Sequence, residues 1–265
     1  MKPKPYIGIT GAADCRETEY ICGEFLDAGY SMQRSRIPML GFLVSSKTLA
    51  GQKTGNRRYP PVYTLASMLE KADGQVLTMI HYNSLETGTI DEQVSIIFER
   101  DAIYDSGLCE ALQLNVPWPE KRQLENIKEK FPEMKIVFQA SREAIGSRTP
   151  REMAAGIAGY GDVIDYVLID QSGGRAMEMD PGFSAELYSD IMSRCPRMTA
   201  GFAGGLSGSN IIPVAKDLAQ RTGSCDFCVD AEGGLRDSIT QEYGDDILNF
   251  LKVRFYLKAA SAVLK

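Results

Sequence analysis

The chain has 265 residues, of which 44% are hydrophobic, and a formal net charge of -6. This length and hydrophobic content suffice for a large core. The acidic balance argues against a nucleic-acid binder, which usually carries a basic face. The longest apolar runs, such as residues 39–44, fall well short of the ~20 residues that a membrane span requires. A predicted strand begins at Tyr6, too early for a signal peptide, so we expect a cytoplasmic protein without nucleic-acid or membrane partners.

Short β-rich runs alternate with longer amphipathic stretches along the whole chain. Strands are predicted at residues 6–10, 39–44, 75–82, 110–115, 135–139, 164–170, 198–203 and 225–230. Helices are predicted at residues 14–28, 62–72, 89–106, 120–131, 149–160, 184–193, 210–222 and 239–264. Two of these helices begin with a capping-box signal, Thr89 with Glu92 and Thr149 with Glu152.

Eight strands that are each followed by a helix predict parallel strands joined by crossover helices. Runs such as Val167-Leu168-Ile169 are apolar without alternation, as expected of strands that are buried on both faces. An open doubly wound sheet shows the same alternation of elements, but the count of eight and the chain length favour a closed (β/α)8 TIM barrel. No linker divides the chain, so residues 1–265 are predicted to form a single domain. Its second βα loop, at about residues 45–61, is long and polar.

The six cysteines are predicted to be reduced thiols. Cys225-Asp-Phe-Cys228 has the spacing of a zinc-binding pair, but no second pair follows and the chain has a single histidine. The pair also lies in a predicted strand, where residues three apart face opposite sides. We therefore expect no metal, and a metal site at these cysteines is the less favoured alternative. No organic cofactor is expected either.

Barrel active sites lie at the C-terminal ends of the strands. That rule nominates these residues by position: Thr10, Ser45, Ser46, His81 to Asn83, Asn115, Gln139, Asp170, Gly204, Gly205 and Asp230. Gly204 and Gly205 are followed by a predicted helix start, where backbone amides can approach a phosphate or carboxylate. A tight turn that needs glycine for its backbone conformation is the alternative for this pair.

The segment Ala203-Gly204-Gly205-Leu206 resembles the Ala-Gly-Gly-Leu motif of the phosphoribosylanthranilate isomerases, enzymes of tryptophan biosynthesis. Further short motifs follow in the order of that family: Gly8-Ile9-Thr10 with Asp14, Leu40-Gly41-Phe42 with Arg58-Tyr59, Gln113-Leu114-Asn115, Leu168-Ile169-Asp170 with Gly173-Gly174, and Glu232 with Gly234, Arg236 and Asp237. The resemblance spans nearly the whole chain and depends on the order and spacing of these motifs.

The resemblance implies an aldose–ketose isomerase that opens the sugar ring by acid/base chemistry. The family's proton-donating aspartate matches Asp170, and its proton-abstracting cysteine matches Ile7, which cannot carry a proton. Loss of a general base typically costs ~10²–10⁴-fold in rate. His81, Cys228 and Asp230 are the groups that could replace it.

The resemblance also implies how a small anionic substrate would bind. Arg58 would hold a carboxylate, Gly204 and Gly205 would bind a phosphate or carboxylate, and Gly174 would also belong to the substrate-binding residues. Asp230 matches a phosphate-binding glycine of the family, so either the phosphate site is altered or the Asp230 side chain turns away. A catalytically silent ligand-binding barrel is the alternative function. A lyase is a further alternative, although no lysine stands at an obvious inward position for a Schiff base. The oligomeric state is left open.

Overall fold

The computed structural model describes residues 2–172, 179–242 and 244–264. Gly174, a predicted substrate-binding residue, lies outside the described residues.

Eight parallel strands close into a barrel in the order β1 to β8, which confirms the predicted fold class. Their bounds are β1 Tyr6–Thr10, β2 Ile37–Ser45, β3 Leu77–Asn83, β4 Ala111–Leu114, β5 Lys135–Ser141, β6 Tyr166–Asp170, β7 Thr199–Ala203 and β8 Cys228–Ala231. The barrel closes where β1 pairs with β8, with Ile7 opposite Val229.

Helices surround the barrel. Among the described residues their bounds are α1 Cys15–Asp27, α2 Ser46–Leu49, α3 Leu65–Ala72, α4 Ile90–Glu99, α5 Lys121–Lys130, α6 Arg142–Ile145, α7 Pro150–Ala158, α8 Pro181–Arg194, α9 Ile211–Thr222 and α10 Phe250–Ala260. No helix in the described part of the chain has the length and apolar character needed to cross a membrane.

Successive residues of each strand face opposite sides of the sheet, so the barrel separates two apolar regions. The larger region lies between strands and helices and contains Ile7 and Ile9. The smaller fills the lower barrel interior with side chains such as Tyr6, Met39 and Leu168. Ile7 therefore faces the helices, whereas the alternate positions of β1 face the interior.

The sequence prediction is wrong at two helix starts. The final helix was predicted to begin at residue 239, but α10 begins at Phe250, because an antiparallel pair, β9 Arg236–Ser238 and β10 Asp246–Leu248, precedes it. Thr89 caps α4 with no side-chain hydrogen bond, so the first predicted capping box is absent. The second is confirmed, because Thr149 and Glu152 bond reciprocally at the start of α7.

All six cysteines are free thiols. Cys228 is buried in β8 while Cys225 is exposed ahead of it. Within the described ranges, no group of three or more His, Cys, Asp or Glu side chains is placed to hold a metal ion.

Candidate functional site

A cavity of about 610 Å³ opens at the C-terminal ends of the barrel strands. Polar side chains from β3 to β6 and from β8 line it, together with the two glycines that follow β7. The lining residues are Leu43, Tyr59, His81, Asn83, Gln113, Asn115, Pro117, Gln139, Ser141, Arg142, Glu143, Leu168, Asp170, Gln171, Ser172, Ala203, Gly204, Gly205, Asp230, Glu232 and Gly233. This polar mouth lies above the apolar lower interior and is the site that the strand-end rule predicts.

Asp170 ends β6 and is 5% exposed in the cavity wall. Its Oδ1 accepts hydrogen bonds from the Ser172 backbone amide at 2.9 Å and from the Ser172 hydroxyl at 2.8 Å. Its Oδ2 accepts one from Gln139 Nε2 at 2.7 Å. Both carboxylate oxygens thus act as acceptors, and these contacts fix the orientation of the side chain.

Asp230 lies inside the barrel, where the Thr10 hydroxyl of the neighbouring strand is 2.9 and 3.1 Å from its two oxygens. Burial raises the pKa of Asp230 well above its usual value, the Thr10 hydrogen bond opposes this, and the nearby carboxyls of Glu232 and Asp170 raise it further. Asp230 therefore favours its neutral, protonated form, so the electrostatic repulsion of a phosphate by this residue is reduced.

Asp230 also fills the space in front of β1. A Cβ added at Gly8 would lie 2.8 Å from Asp230 Oδ1, so no side chain fits at position 8 without displacing the carboxyl. Ile7, the position that matches the family's cysteine by motif, is completely buried on the helix side of the barrel. The absence of a thiol at position 7 therefore removes nothing from this cavity, and Asp230 is an ionisable group beside β1 that lines it.

His81 on β3 and Gln113 on β4 are opposite each other in the strand register and are each 2% exposed. Burial lowers the pKa of His81 to about 3, so its imidazole is neutral at physiological pH and is a weak general base. Neither His81 Nε2 nor Gln113 Oε1 has a hydrogen-bond partner among the residues that the structure describes. Gln113 Nε2 donates to Asn115 Oδ1 at 2.9 Å.

Arg58, predicted to hold a substrate carboxylate, is 3% exposed and bonds carboxylates of its own chain. Its guanidinium contacts Asp246 at 2.5 Å and Glu232 at 2.5 Å. Arg236 contacts the other oxygen of Asp246 at 2.6 Å. Arg58 does not belong to the cavity lining, whereas its partner Glu232 does. The geometry thus makes Arg58 a positioning residue for Glu232, and its contact with a substrate stays a prediction.

The Arg58 network joins the long second βα loop to the β9–β10 pair. Arg57 donates its backbone amide to Gly244 O at 2.9 Å and pairs with Asp245 at 2.9 Å. Arg236 donates to Gly11 O at 3.0 Å, which ties the same region to the end of β1.

The Gly204-Gly205 turn lies in the cavity wall between the two aspartates. Both glycines have positive φ angles, 119° and 64°, a conformation that other residues rarely adopt. Asn210 Nδ2 donates to Gly205 O at 2.8 Å, which fixes the turn to the residue that precedes α9. A tight turn accounts for the two glycines, and phosphate binding at this turn stays a prediction.

Sequence reasoning did not select Gln113 and Glu232 as site residues, although both line the cavity. Gln113 lies two positions before the nominated Asn115 and therefore shares its face of the strand. That spacing was the available signal. Glu232 follows β8 directly, but its orientation depends on Arg58, which is 174 residues away in the chain. No local pattern could reveal that contact.

Solved structures of low sequence identity superpose on nearly the whole chain. Phosphoribosylanthranilate isomerase from Thermus thermophilus matches with a TM-score of 0.63 and 15% identity, over 99% of each chain. The fold is that of a TIM barrel. The isomerase from Thermotoga maritima matches with a TM-score of 0.58 and 14% identity, over 97% of this chain and 99% of that one. Tryptophan synthase from M. tuberculosis matches with a TM-score of 0.59 and 13% identity, over 99% and 94%.

No protein-family model and no curated protein sequence matches the chain. At identities of 13–15% the structural likeness establishes the barrel and its strand order and leaves the reaction to the residues of the site.

Proposed function

We propose that this barrel is an acid–base isomerase of the aldose–ketose type that acts on a small sugar derivative. The observation that carries the proposal is the pair of buried carboxyl groups, Asp170 and Asp230, in the wall of one cavity. Their surroundings differ, since burial raises the pKa of Asp230, which has the Thr10 hydroxyl as its side-chain partner, whereas Asp170 accepts hydrogen bonds from Gln139 and from the amide and hydroxyl of Ser172. Two carboxyls in different environments are the usual way to assign acid and base in such a site.

In this proposal Asp230 donates its proton to the sugar ring oxygen as the ring C–O bond breaks, and a lone pair of the nitrogen or oxygen substituent on the anomeric carbon forms a C=N or C=O double bond. Asp170 then accepts the proton from the neighbouring carbon. The electron pair of that C–H bond forms a C=C double bond, and the pair of the C=N or C=O bond returns to the nitrogen or oxygen. The hydroxyl of the neighbouring carbon then loses its proton as its oxygen forms the ketone, and the pair of the C=C bond takes up a proton at the former anomeric carbon, which gives the ketose. The family resemblance assigns proton donation to Asp170, but the raised pKa of the buried Asp230 favours the opposite distribution of roles. His81, with its lowered pKa, is more suited to binding than to proton abstraction.

The proposed substrate is polyhydroxylated, because side-chain amides of Asn83, Gln113, Asn115 and Gln139 line one wall. A phosphate bound at Gly204-Gly205 is compatible with a neutral Asp230. A solved phosphoribosylanthranilate isomerase with 13% identity and a TM-score of 0.58 is in complex with reduced 1-(o-carboxyphenylamino)-1-deoxyribulose 5-phosphate, and this ligand motivates the first choice of probe.

The proposal is tested by deuterium incorporation, because proton abstraction from carbon exchanges that proton with solvent whatever the final product. The protein is incubated in D2O with N-(5-phosphoribosyl)anthranilate or with ribose 5-phosphate, and deuterium at carbon is followed by NMR. We expect incorporation by the wild-type protein. Asp170→Asn and Asp230→Asn should each reduce it by about 10²–10⁴-fold, the usual contribution of a positioned acid or base.

Asp217→Asn is the matched control, because Asp217 lies on α9 in an exposed pair with Arg221, outside the cavity lining. It should retain full activity. Undiminished exchange in both cavity variants would contradict the proposed roles.

A ligand-binding protein without turnover is the second candidate. It is favoured by one observation, the engagement of Arg58 with Asp246 and Glu232 inside the protein. Saturable binding of either probe without any deuterium incorporation would support it. A Schiff-base lyase has less support, since no lysine lines the cavity within the described residues.

A further inference from the structure

The cavity wall formed by β3 and β4 carries two buried polar atoms without partners. His81 Nε2 and Gln113 Oε1 are shielded from solvent and form no hydrogen bond within the described part of the chain. Both residues line the cavity. Buried polar groups in native proteins are nearly always hydrogen-bonded, so two such atoms on neighbouring strands call for an explanation.

The two side chains lie in the same part of the cavity wall. His81 and Gln113 are register partners on adjacent strands, and both line the cavity. The Gln113 side chain is fixed because its Nε2 donates to Asn115 Oδ1, which leaves Oε1 available as an acceptor. Room for the imidazole exists because β2 has a glycine at position 41, where a Cβ would lie 2.8 Å from His81 Nε2.

The protonation state of His81 selects the ligand chemistry. A neutral imidazole nitrogen is either a single donor or a single acceptor, while the amide oxygen of Gln113 only accepts. A hydroxyl group satisfies such a pair, because it accepts one hydrogen bond and donates another. An anionic oxygen cannot donate to Oε1, and an apolar group would leave both atoms unpaired.

We infer that His81 and Gln113 form a hydroxyl-recognition subsite that binds a neutral hydroxyl of the sugar substrate. This inference rests on the proposed function, which it deepens by assigning substrate selectivity to the β3–β4 wall. His81 acts there by binding, and the acid and base remain on β6 and β8.

The single histidine provides a direct test. Protein labelled with ¹⁵N-histidine gives signals from the two nitrogens of one imidazole. We expect both signals to move saturably when ribose 5-phosphate or ribulose 5-phosphate is added. Inorganic phosphate over the same concentration range should leave them in place. Unchanged imidazole signals with both sugars would overturn the inference and would indicate that only water meets these two atoms.

Gln113→Leu tests the second half of the pair. We expect the affinity for ribose 5-phosphate to fall about tenfold, the effect of one neutral hydrogen bond, while the affinity for inorganic phosphate stays constant. Gln220→Leu is the matched control, because Gln220 is exposed on α9. Equal affinity of Gln113→Leu and wild type for ribose 5-phosphate would contradict the subsite. The NMR titration of the wild-type protein keeps the test valid if Gln113→Leu does not fold.

Failure of the inference and failure of the proposed function are distinguishable. Movement of the imidazole signals without deuterium incorporation would retain the subsite and reject the isomerase. Deuterium incorporation with unchanged imidazole signals would retain the isomerase and reject the subsite.

Discussion

The two walls of the cavity differ in how their buried polar groups are hydrogen-bonded. On the carboxyl side, formed by Asp170, Asp230 and Glu232, each group has a partner in the protein, such as Thr10 for Asp230 and Arg58 for Glu232. On the amide side, formed by Asn83, Gln113, Asn115 and Gln139 with His81, two buried atoms have no partner in the described residues. The carboxyl side is thus held in place by contacts within the protein, whereas the amide side keeps two buried polar atoms for which we propose a ligand.

The contributions of the two walls to stability also depend on pH in opposite directions. Burial raises the pKa of Asp230 and lowers the pKa of His81, in both cases because the buried charged form is disfavoured. The ionisation of Asp230 therefore lowers the free energy of unfolding as the pH rises. The protonation of His81 lowers it as the pH falls. The comparison can be tested by four variants.

The largest effect is expected from Asp246→Asn, behind the carboxyl side. Burial alone would raise the pKa of Asp246, but hydrogen bonds from Arg58 and Arg236 outweigh it and the pKa is lowered. Loss of this charge leaves two buried guanidiniums without their shared partner, which typically costs about 3–5 kcal/mol. Urea denaturation measures this loss. Asp245→Asn, which removes the exposed pair with Arg57, is the control and should cost less than about 1 kcal/mol.

Asp230→Asn should change the pH dependence of stability. The folded pKa of Asp230 is raised, so its contribution is complete below the unfolded pKa and is lost as the pH rises through the folded pKa. The amide cannot ionise and lacks this loss. We expect the free energy of unfolding of Asp230→Asn, relative to that of the wild type, to increase as the pH rises from 4 to 8. Parallel curves for the two proteins would show that Asp230 ionises normally.

His81→Gln should remove a pH dependence of the opposite sign. The wild-type imidazole is neutral in the fold with a pKa of about 3, against 6.5 when unfolded, so the wild type loses stability as the pH falls below 6.5. By pH 5 this loss amounts to about 2 kcal/mol. No other histidine contributes, since the chain has only one. Denaturation curves at pH 7 and pH 5 measure the difference, and an equal loss in His81→Gln would contradict the burial of a neutral imidazole.

Asn115→Ala should have the smallest effect. It removes the hydrogen bond that orients Gln113, which contributes about 1 kcal/mol. We expect a small loss of stability by thermal denaturation together with a weaker affinity for ribose 5-phosphate. Stability and affinity equal to those of the wild type would show that Gln113 is oriented by other contacts.

The barrel itself was predictable because its signals are local. The eight apolar runs coincide with the strands to within a few residues, and β1 was predicted at its observed bounds. The capping box of Thr149 was also predictable, since its partner is three residues away. Thr89 has the same motif without the bond, because Gln93 and the 3-10 turn before α4 engage that region instead.

The site was only partly predictable, because its decisive contacts are distant in sequence. Asp170 and Asp230 could be nominated from strand ends, but the partners of Asp230 and of Arg58 lie 220 and 188 residues away. Whether the Ile7 side chain faces the helices or the barrel interior depends on the register of β1. A shift of one residue would place it on the opposite face of the sheet. The β9–β10 pair was missed because its short strands are followed directly by the helical pattern of α10.

The protonation of Asp230 at neutral pH is the central claim, and infrared spectroscopy tests it most directly. The carbonyl stretch of a neutral carboxylic acid is separate from the bands of carboxylates. We predict that the wild-type protein at pH 7 shows this stretch and that Asp230→Asn removes the contribution of Asp230 to it. A band of unchanged intensity in Asp230→Asn would contradict the account.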